Sequence, residues 1–216
     1  TVGASQPAAT LIDAFAAAYT AQDGFGTEGA ASVPYDTSAR AFTVPATKNE
    51  RFRRTGLALN LSGSGEDGFI RIMLRVDNRQ NLDHVEIALS SDAGVFTTDF
   101  YTFRISALGF TEDNSWQEFK IRKNVFERVK PTGGSTDTWA NIDGVQITVA
   151  ANAKGQVVVS ADDARLEADT PADGTYDYKI TLWNDTLKIR SNGRRLADIY
   201  SVADYVTGKV TVQRQR

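Results

Sequence analysis

The sequence predicts an all-β protein, an antiparallel β-sandwich followed by a small C-terminal β-unit. Apolar and polar side chains alternate over short segments, turn-forming clusters interrupt these segments at short intervals, and only one short stretch has helical spacing. Alternation with a period of two places successive side chains on opposite faces of a strand. Many short strands of this kind predict two stacked sheets.

The N-terminal segment is the one place where a helix competes with a strand. Residues 10–18 are rich in alanine, and Leu11 and Phe15 lie at helical spacing after Thr10, a residue type that caps helices. The alternative is a first strand of the sandwich led by Ile12 and Phe15. Residues 22–29 contain three glycines and predict a loop.

Residues 69–77 show the clearest alternation in the chain. One face carries Ile70, Ile72, Leu74 and Val76, and the other carries Phe69, Arg71, Met73 and Arg75. Residues 48–54 are basic and are predicted to connect two strands rather than to form one. The remaining strands of the sandwich are predicted at residues 41–44, 56–61, 85–89, 101–105, 119–121, 145–149 and 157–159.

A change in composition at residues 168–174 predicts a boundary between two parts, residues 1–168 and 170–216. The second part has three or four alternating segments, and Asn192-Gly193 between two of them is a strong hairpin signal. So few strands are marginally stable alone. The C-terminal β-unit is therefore predicted to pack on the sandwich or on a neighbouring subunit, which allows self-assembly.

Composition argues against several classes of partner and site. A net charge of −3 and a pI of about 5.3 do not suit a nucleic-acid-binding protein, which needs clustered positive charge. No apolar run approaches the ~20 residues of a membrane-spanning helix, so no membrane insertion is expected. Without cysteine the chain has no disulfide and no thiolate metal site.

Catalytic patterns are weak. His84 is the single histidine, and no nucleophile elbow stands where it would serve a Ser-His-Asp triad. Glu86 and Glu118 are the candidates for the paired carboxylates of a glycoside hydrolase. Arg71, Arg75 and Tyr101 are the side chains that a polysaccharide lyase would use. We therefore regard an enzyme as the less favoured class and leave it open.

A series of segments resembles a known family in its order and spacing. Residues 116–121 form a Trp-led strand, Trp139 and Ile142 lead into the strand 145–149, and residues 159–166 close on Asp-Asp-x-x-Leu. Over residues 69–168 this is similar to the galactose-binding-like jelly rolls that act as carbohydrate-binding modules. The resemblance implies that Trp116 and Trp139 cover the core edge, and a platform for a sugar ring is the alternative. Residues 183–213 are similar to the last strands of concanavalin-like domains.

The resemblance implies a concave sheet on which polar and aromatic side chains hold a glycan. Arg71 and Arg75 would lead this face, and the planar fork of arginine suits carboxylate or sulfate groups, so anionic glycans are a candidate class. The alternative is a solvated face with cross-strand ion pairs. The predicted ligand-binding residues are Arg71, Arg75, Glu86, Arg104, Tyr101 and Trp183, and His84, Lys120, Gln146 and Thr148 are expected beside them.

The resemblance also implies a structural calcium where the first and last strands meet. Asp13, Asp162 and Asp163 occupy comparable places in this chain. Carboxylate oxygens are the hard ligands that calcium prefers.

Three functions follow from these observations. The first is a non-catalytic polysaccharide-binding sandwich, secreted or exposed on a cell surface or virion exterior. The second is a structural subunit of a phage tail or surface filament. The third is a polysaccharide lyase or glycoside hydrolase.

Overall fold

The computed structural model describes residues 9–62, 68–92, 94–129 and 139–167 in full, and the backbone of three C-terminal strands. The chain divides into two compact units, one of residues 8–169 and a second that contains residues 170–216. Each unit is described by itself. None of the described residues forms a helix that is long and apolar enough to span a membrane.

Fifteen strands make up the described structure, with two short 3₁₀ turns at Ala107–Gly109 and Lys123–Val125. The strands are β1 (Thr10–Asp13), β2 (Thr20–Ala21), β3 (Thr27–Ala30), β4 (Arg40–Val44), β5 (Asn49–Leu59), β6 (Phe69–Val76), β7 (Leu82–Ser90), β8 (Phe100–Ser106), β9 (Trp116–Arg122), β10 (Glu127–Val129), β11 (Ile142–Ala151), β12 (Val157–Glu167), β13 (Tyr178–Trp183), β14 (Thr186–Ser191) and β15 (Arg194–Ile199).

Twelve of these strands form two antiparallel sheets, which confirms the predicted all-β sandwich. Sheet 1 has the order β3-β4-β12-β6-β9, and β1 also pairs with β12. Sheet 2 has the order β10-β8-β7-β11-β5-β2. Except for β3-β4 and β7-β8, the neighbours in each sheet are not consecutive in the chain, so long-range pairing sets most of the strand order.

The core lies between the sheets and is built from the apolar set of each alternating strand. Ile72 of sheet 1 and Ile147 of sheet 2 are each at most 1% exposed. Phe42 and Phe52, one from each sheet, meet with ring centroids 4.7 Å apart. The period-two pattern of the sequence therefore assigns the inner face of these strands correctly.

At residues 10–13 the strand alternative is confirmed, because β1 pairs with β12 and buries Ile12 in the core. Two local predictions are wrong. Residues 27–29, predicted to be part of a loop, belong to strand β3, which pairs with β4. Residues 49–54, predicted to be part of a connection, are the first half of the eleven-residue strand β5. Two inward-facing residues of β5, Glu50 and Arg54, are charged, and they hide the alternation.

The C-terminal unit is an antiparallel three-stranded sheet in the order β13-β14-β15. Trp183 pairs with Thr186 at the end of β13, and Leu187 pairs with Ile199 across the next hairpin. The predicted turn at Asn192-Gly193 lies outside the described residues. Whether this unit packs on the sandwich or mediates self-assembly stays a prediction.

Candidate functional site

The outer face of sheet 2 carries polar side chains in rows that cross the whole sheet. Gln146 of β11 lies near the middle of the first row. Arg53 and Thr20 follow on one side of it, and Ala88, Thr102 and Glu127 follow on the other. The next row runs Arg51, Thr148, Glu86, Arg104. A third row runs Asn49, Ala150, His84, Ser106. Strand pairing thus brings residues far apart in sequence to one surface.

Exposure along these rows has the profile of a trough. The row residues on the two central strands, β7 and β11, point away from the core, and all except the partly exposed Glu86 are buried: Ala88, Gln146, Thr148, Ala150 and His84 are each at most 8% exposed. The edges of the same rows are exposed at Thr20, Arg51, Asn49, Arg104, Ser106 and Glu127. We call this surface the trough, with the first set as its floor and the second as its edges.

The floor of the trough holds unsatisfied polar atoms. The hydroxyl Oγ1 of Thr148 is buried and has no hydrogen-bond partner among the described residues, and the same holds for Thr102. A buried hydroxyl without a partner costs about 1–3 kcal/mol. In a folded protein such a group calls for an explanation, which an ordered water, an ion or a ligand can supply.

One end of the trough is closed by the segment that follows β7. Phe96 from this segment packs on Gly144, where an added Cβ would lie 3.1 Å from the ring. The Arg53 guanidinium lies over the same ring, 4.7 Å from its centroid. Ser90 donates to the Val95 carbonyl at 2.6 Å and ties the segment to β7. The segment that carries Phe96 is therefore held against Gly144 and Arg53 at this end of the trough.

The predicted site residues do not all share this surface. Glu86, Arg104, His84, Gln146 and Thr148 lie on it. Arg71, Arg75 and Lys120 do not, because β6 and β9 belong to sheet 1, so the prediction of one common face is wrong. The candidate carboxylates Glu86 and Glu118 point outward from opposite sheets for the same reason, and these two do not form a glycosidase pair.

Two aromatic candidates are also placed elsewhere. Tyr101 faces the core, 5% exposed, and stacks on Trp139 with ring centroids 4.1 Å apart. It therefore cannot hold a ligand on the outer face. Trp139 covers the core edge as the resemblance implied. The side chain of Trp183 lies outside the described residues.

Arg71 is enclosed by an ion-pair network on the outer face of sheet 1. It pairs with Asp163, and its guanidinium nitrogens lie 3.2 Å from Glu118 and Glu167. Lys120 pairs with the same two glutamates, and Arg165 pairs with Asp163. Three cations and three anions balance here. The network thus matches the alternative of a face with cross-strand ion pairs.

A short segment crosses the other half of this face, beside Arg75. The backbone N–H groups of Tyr35 and Asp36 donate to Asp162 at 3.0 Å, and the Trp116 indole donates to the Val33 carbonyl at 3.2 Å. Burial raises the pKa of Asp162, although the two N–H donors act in the opposite direction. Asp162 therefore serves to hold this segment.

The three aspartates predicted to bind calcium do not converge. Asp13 faces the sandwich interior, where it accepts bonds from Tyr19 at 2.8 Å and from Arg54 of the opposite sheet at 2.6 Å. Asp163 engages arginines on the outer face. No group of three metal-ligating side chains occurs in the described part of the chain. These carboxylates already have protein donors and do not fit a calcium site.

Chelation provides a direct test of this point. We expect the melting temperature to differ by less than about 1 °C between excess EDTA and excess calcium, since an ion that does not bind the native state cannot stabilise it. Differential scanning calorimetry on the full chain measures this. A rise of several degrees with calcium would restore the calcium prediction.

Comparisons with known proteins identify the fold. No protein-family model matches the chain, and no curated protein matches it. Among solved structures it is similar to the family 30 carbohydrate-binding module of the cellulosomal cellulase Cel9D-Cel44B of Clostridium thermocellum, with 13% identity, a TM-score of 0.56, and coverage of 76% of this chain and 99% of that one. The chain therefore has the jelly-roll fold that this module has.

A second group of modules shares the same jelly roll. The family 11 module of the cellulase Lic26A-Cel5E of Clostridium thermocellum is 16% identical, with a TM-score of 0.53 and coverage of 77% of this chain and 98% of that one. Another structure of a family 11 module from this organism, at 17% identity and a TM-score of 0.50, is in complex with a β-1,3-1,4-mixed-linked tetrasaccharide, with coverage of 74% and 95%. Nearly the whole of each module is matched.

The sequence analysis missed several residues of the trough, among them Arg51, Arg53 and Thr102. Arg51 and Arg53 were assigned to a connection, and Thr102 was not singled out. Their signal was present in β5, where Arg51 and Arg53 alternate with Phe52, a fully buried core residue. Thr102 has no comparable signal, because an isolated threonine on a strand is common.

Proposed function

We propose that the chain is a non-catalytic carbohydrate-binding β-sandwich that holds a polysaccharide in the trough of sheet 2. The observation that carries this proposal is the buried polar floor, in which the Thr148 hydroxyl has no partner among the described residues, between exposed polar edges. A sugar hydroxyl both donates and accepts hydrogen bonds, so it can satisfy such a group. The unliganded floor then has a cost that ligand binding recovers.

The jelly roll supports the same conclusion at the level of fold. Two groups of modules with this architecture are named as carbohydrate-binding, and one structure is in complex with a β-1,3-1,4-mixed-linked tetrasaccharide. Because one fold hosts many functions, the proposal depends on the trough and uses the fold only as support. For the same reason the ligand of a neighbouring module is not transferred to this chain.

The finer proposal is that the polysaccharide is anionic. Arg71 and Arg75, from which the sequence analysis argued for an anionic glycan, lie on the other sheet. In the trough, the residue that supports an anionic ligand is Arg53.

Replacing Thr148 with valine gives the sharpest test of the trough. Valine keeps the shape of threonine and removes the hydroxyl, so we expect glycan affinity to fall about tenfold, while the melting temperature stays the same or rises because an unsatisfied group is gone. A glycan array identifies the ligand, and isothermal titration calorimetry and thermal denaturation measure both effects.

Thr43→Val is the matched control. Thr43 lies on the outer face of sheet 1, so this substitution makes the same chemical change away from the trough. We expect wild-type affinity from it. Equal affinity in Thr148→Val and wild type would place the ligand elsewhere on the protein.

We further propose that the protein acts where polysaccharides are met, in a secreted form or on a cell surface or virion exterior. Self-assembly through residues 170–216 remains a separate proposal, and light scattering of the full chain tests it. Ordered oligomers would favour the structural-subunit alternative, and a monomer would favour the binding module.

A further inference from the structure

Arg53 differs from the two other arginines of the trough in its partners. Arg51 makes a bidentate pair with Asp23, and Arg104 lies 3.8 Å from Glu86. Arg53 has no carboxylate partner in the described part of the chain. Its Nε and Nη2 donate to the neutral Oε1 of Gln146, at 3.2 and 2.9 Å, and its other contact is the Phe96 ring.

The Arg53 guanidinium is half-buried, and Asp23, whose negative charge acts on it, is paired directly with Arg51. Burial, and then the positive charge of Arg51, lower the pKa of Arg53, and together they outweigh the opposing effect of Asp23. A guanidinium has five N–H donors, and Gln146 takes two, so three donors remain. The ring and the amide hold the guanidinium plane in place before any ligand arrives.

The floor residues beside Arg53, which are Gln146, Thr148 and Ala88, carry no negative charge. Gln146 uses its oxygen on Arg53, which leaves its amide N–H groups for another acceptor. Thr148 follows two residues later on the same face, about 7 Å further along β11, with its unpartnered hydroxyl. Ala88, next in the row after Gln146, carries no polar group. This part of the floor thus presents donors to whatever lies above it.

We propose that the trough binds an anionic substituent of its polysaccharide, a carboxylate or a sulfate ester, at the guanidinium of Arg53 and the neighbouring Gln146 amide and Thr148 hydroxyl. This inference rests on the proposed function and names the ligand class of the same site. The planar fork of arginine matches the oxygens of either anion, and a charge-assisted pair is stronger than a neutral hydrogen bond. A neutral sugar would leave the guanidinium without a direct ion-pair partner.

The test compares each anionic ligand with its neutral counterpart. Hexagalacturonic acid is titrated beside its methyl ester, and a sulfated galactan hexasaccharide beside its desulfated form, so the two arms distinguish carboxylate from sulfate. We expect the full-length wild type to prefer one anionic member of a pair by about tenfold. Raising the salt concentration should reduce that preference.

Arg53→Gln removes the charge and keeps a polar side chain. We expect the preference, which is the ratio of the affinities for the two members of a pair, to fall below about threefold in this variant. Arg53→Lys keeps the charge without the fork and is expected to retain part of the preference, which provides a second variant if the first folds poorly. Arg75→Gln, on the outer face of sheet 1, is the control and should behave as wild type.

Each outcome decides a different statement. Equal binding of both members of each pair by wild type would overturn the inference, and with it the finer proposal of an anionic polysaccharide, and would leave polysaccharide binding in the trough standing. A preference that survives in Arg53→Gln would show that the anion is read elsewhere. Failure to bind any polysaccharide on a broad array would remove the proposed function itself, and this inference with it.

Discussion

Replacing Glu50 with alanine is expected to lower the free energy of unfolding of the sandwich by about 4 kcal/mol. Glu50 is fully buried, and its carboxylate accepts four backbone N–H groups from Gln22, Asp23, Phe25 and Gly26 at 2.6–2.8 Å. Alanine leaves all four donors without their acceptor. Thermal denaturation should show a melting temperature about 10 °C below that of wild type.

The shape of the 22–26 loop explains why no neighbouring group can replace this carboxylate. At Gly26 an added Cβ would lie 2.8 Å from the Phe52 ring and 2.9 Å from Glu50 Cγ, so the loop backbone is pressed against β5. Glu112→Ala is the control, because Glu112 is exposed and its loss should cost less than about 0.5 kcal/mol. Equal melting temperatures for the two variants would contradict the argument.

The contribution of Glu50 should also depend on pH. Burial acts to raise its pKa, but the N–H donors outweigh burial and leave the pKa below its ordinary value of 4.5. A carboxylate whose pKa is lowered by folding stabilises the native state above the unfolded pKa and loses that effect as pH falls through the folded pKa. The difference in stability between wild type and Glu50→Ala should therefore shrink below about pH 4.

Alternation along a strand predicted which side chains face the core. It wrongly placed Arg71 and Glu86 on one common outer face, and the structure shows why. A period of two separates inner from outer residues within one strand. It does not say which sheet the strand joins. Arg71 and Glu86 are both outward-facing, yet β6 pairs with β9 and β12, whereas β7 pairs with β8 and β11. That choice is made by contacts between distant segments.

Strand β5 shows a second limit of sequence reasoning. Its inward positions include Glu50 and Arg54, which a hydrophobic pattern treats as exposed. Each is tolerated because the fold supplies a partner: the 22–26 backbone for Glu50, and Asp13 of the opposite sheet for Arg54. These partners are 24 or more residues away, so the strand, and with it Arg51 and Arg53 of the trough, was missed.

Replacing Arg71 with methionine is expected to destabilise the sandwich by about 3 kcal/mol and to leave glycan affinity unchanged. Arg71 has a 14% exposed side chain at the centre of its network, and methionine would leave the 7% exposed side chain of Asp163 with Arg165 alone. Glu118 is 41% exposed, so water replaces that contact at little cost. Thermal denaturation and calorimetric titration with the glycan measure the two effects on one preparation.

Arg104→Met provides the opposite case. Its side chain is 62% exposed and makes one ion-pair contact, at 3.8 Å, so its loss should cost less than about 1 kcal/mol. Since it forms an edge of the trough, the same change should weaken glycan binding. The crossed result, stability lost in Arg71→Met and affinity lost in Arg104→Met, follows only if the two sheets have separate tasks. Reduced glycan affinity in a folded Arg71→Met variant would indicate that the ligand binds on sheet 1, on the face of β6 that the sequence analysis predicted.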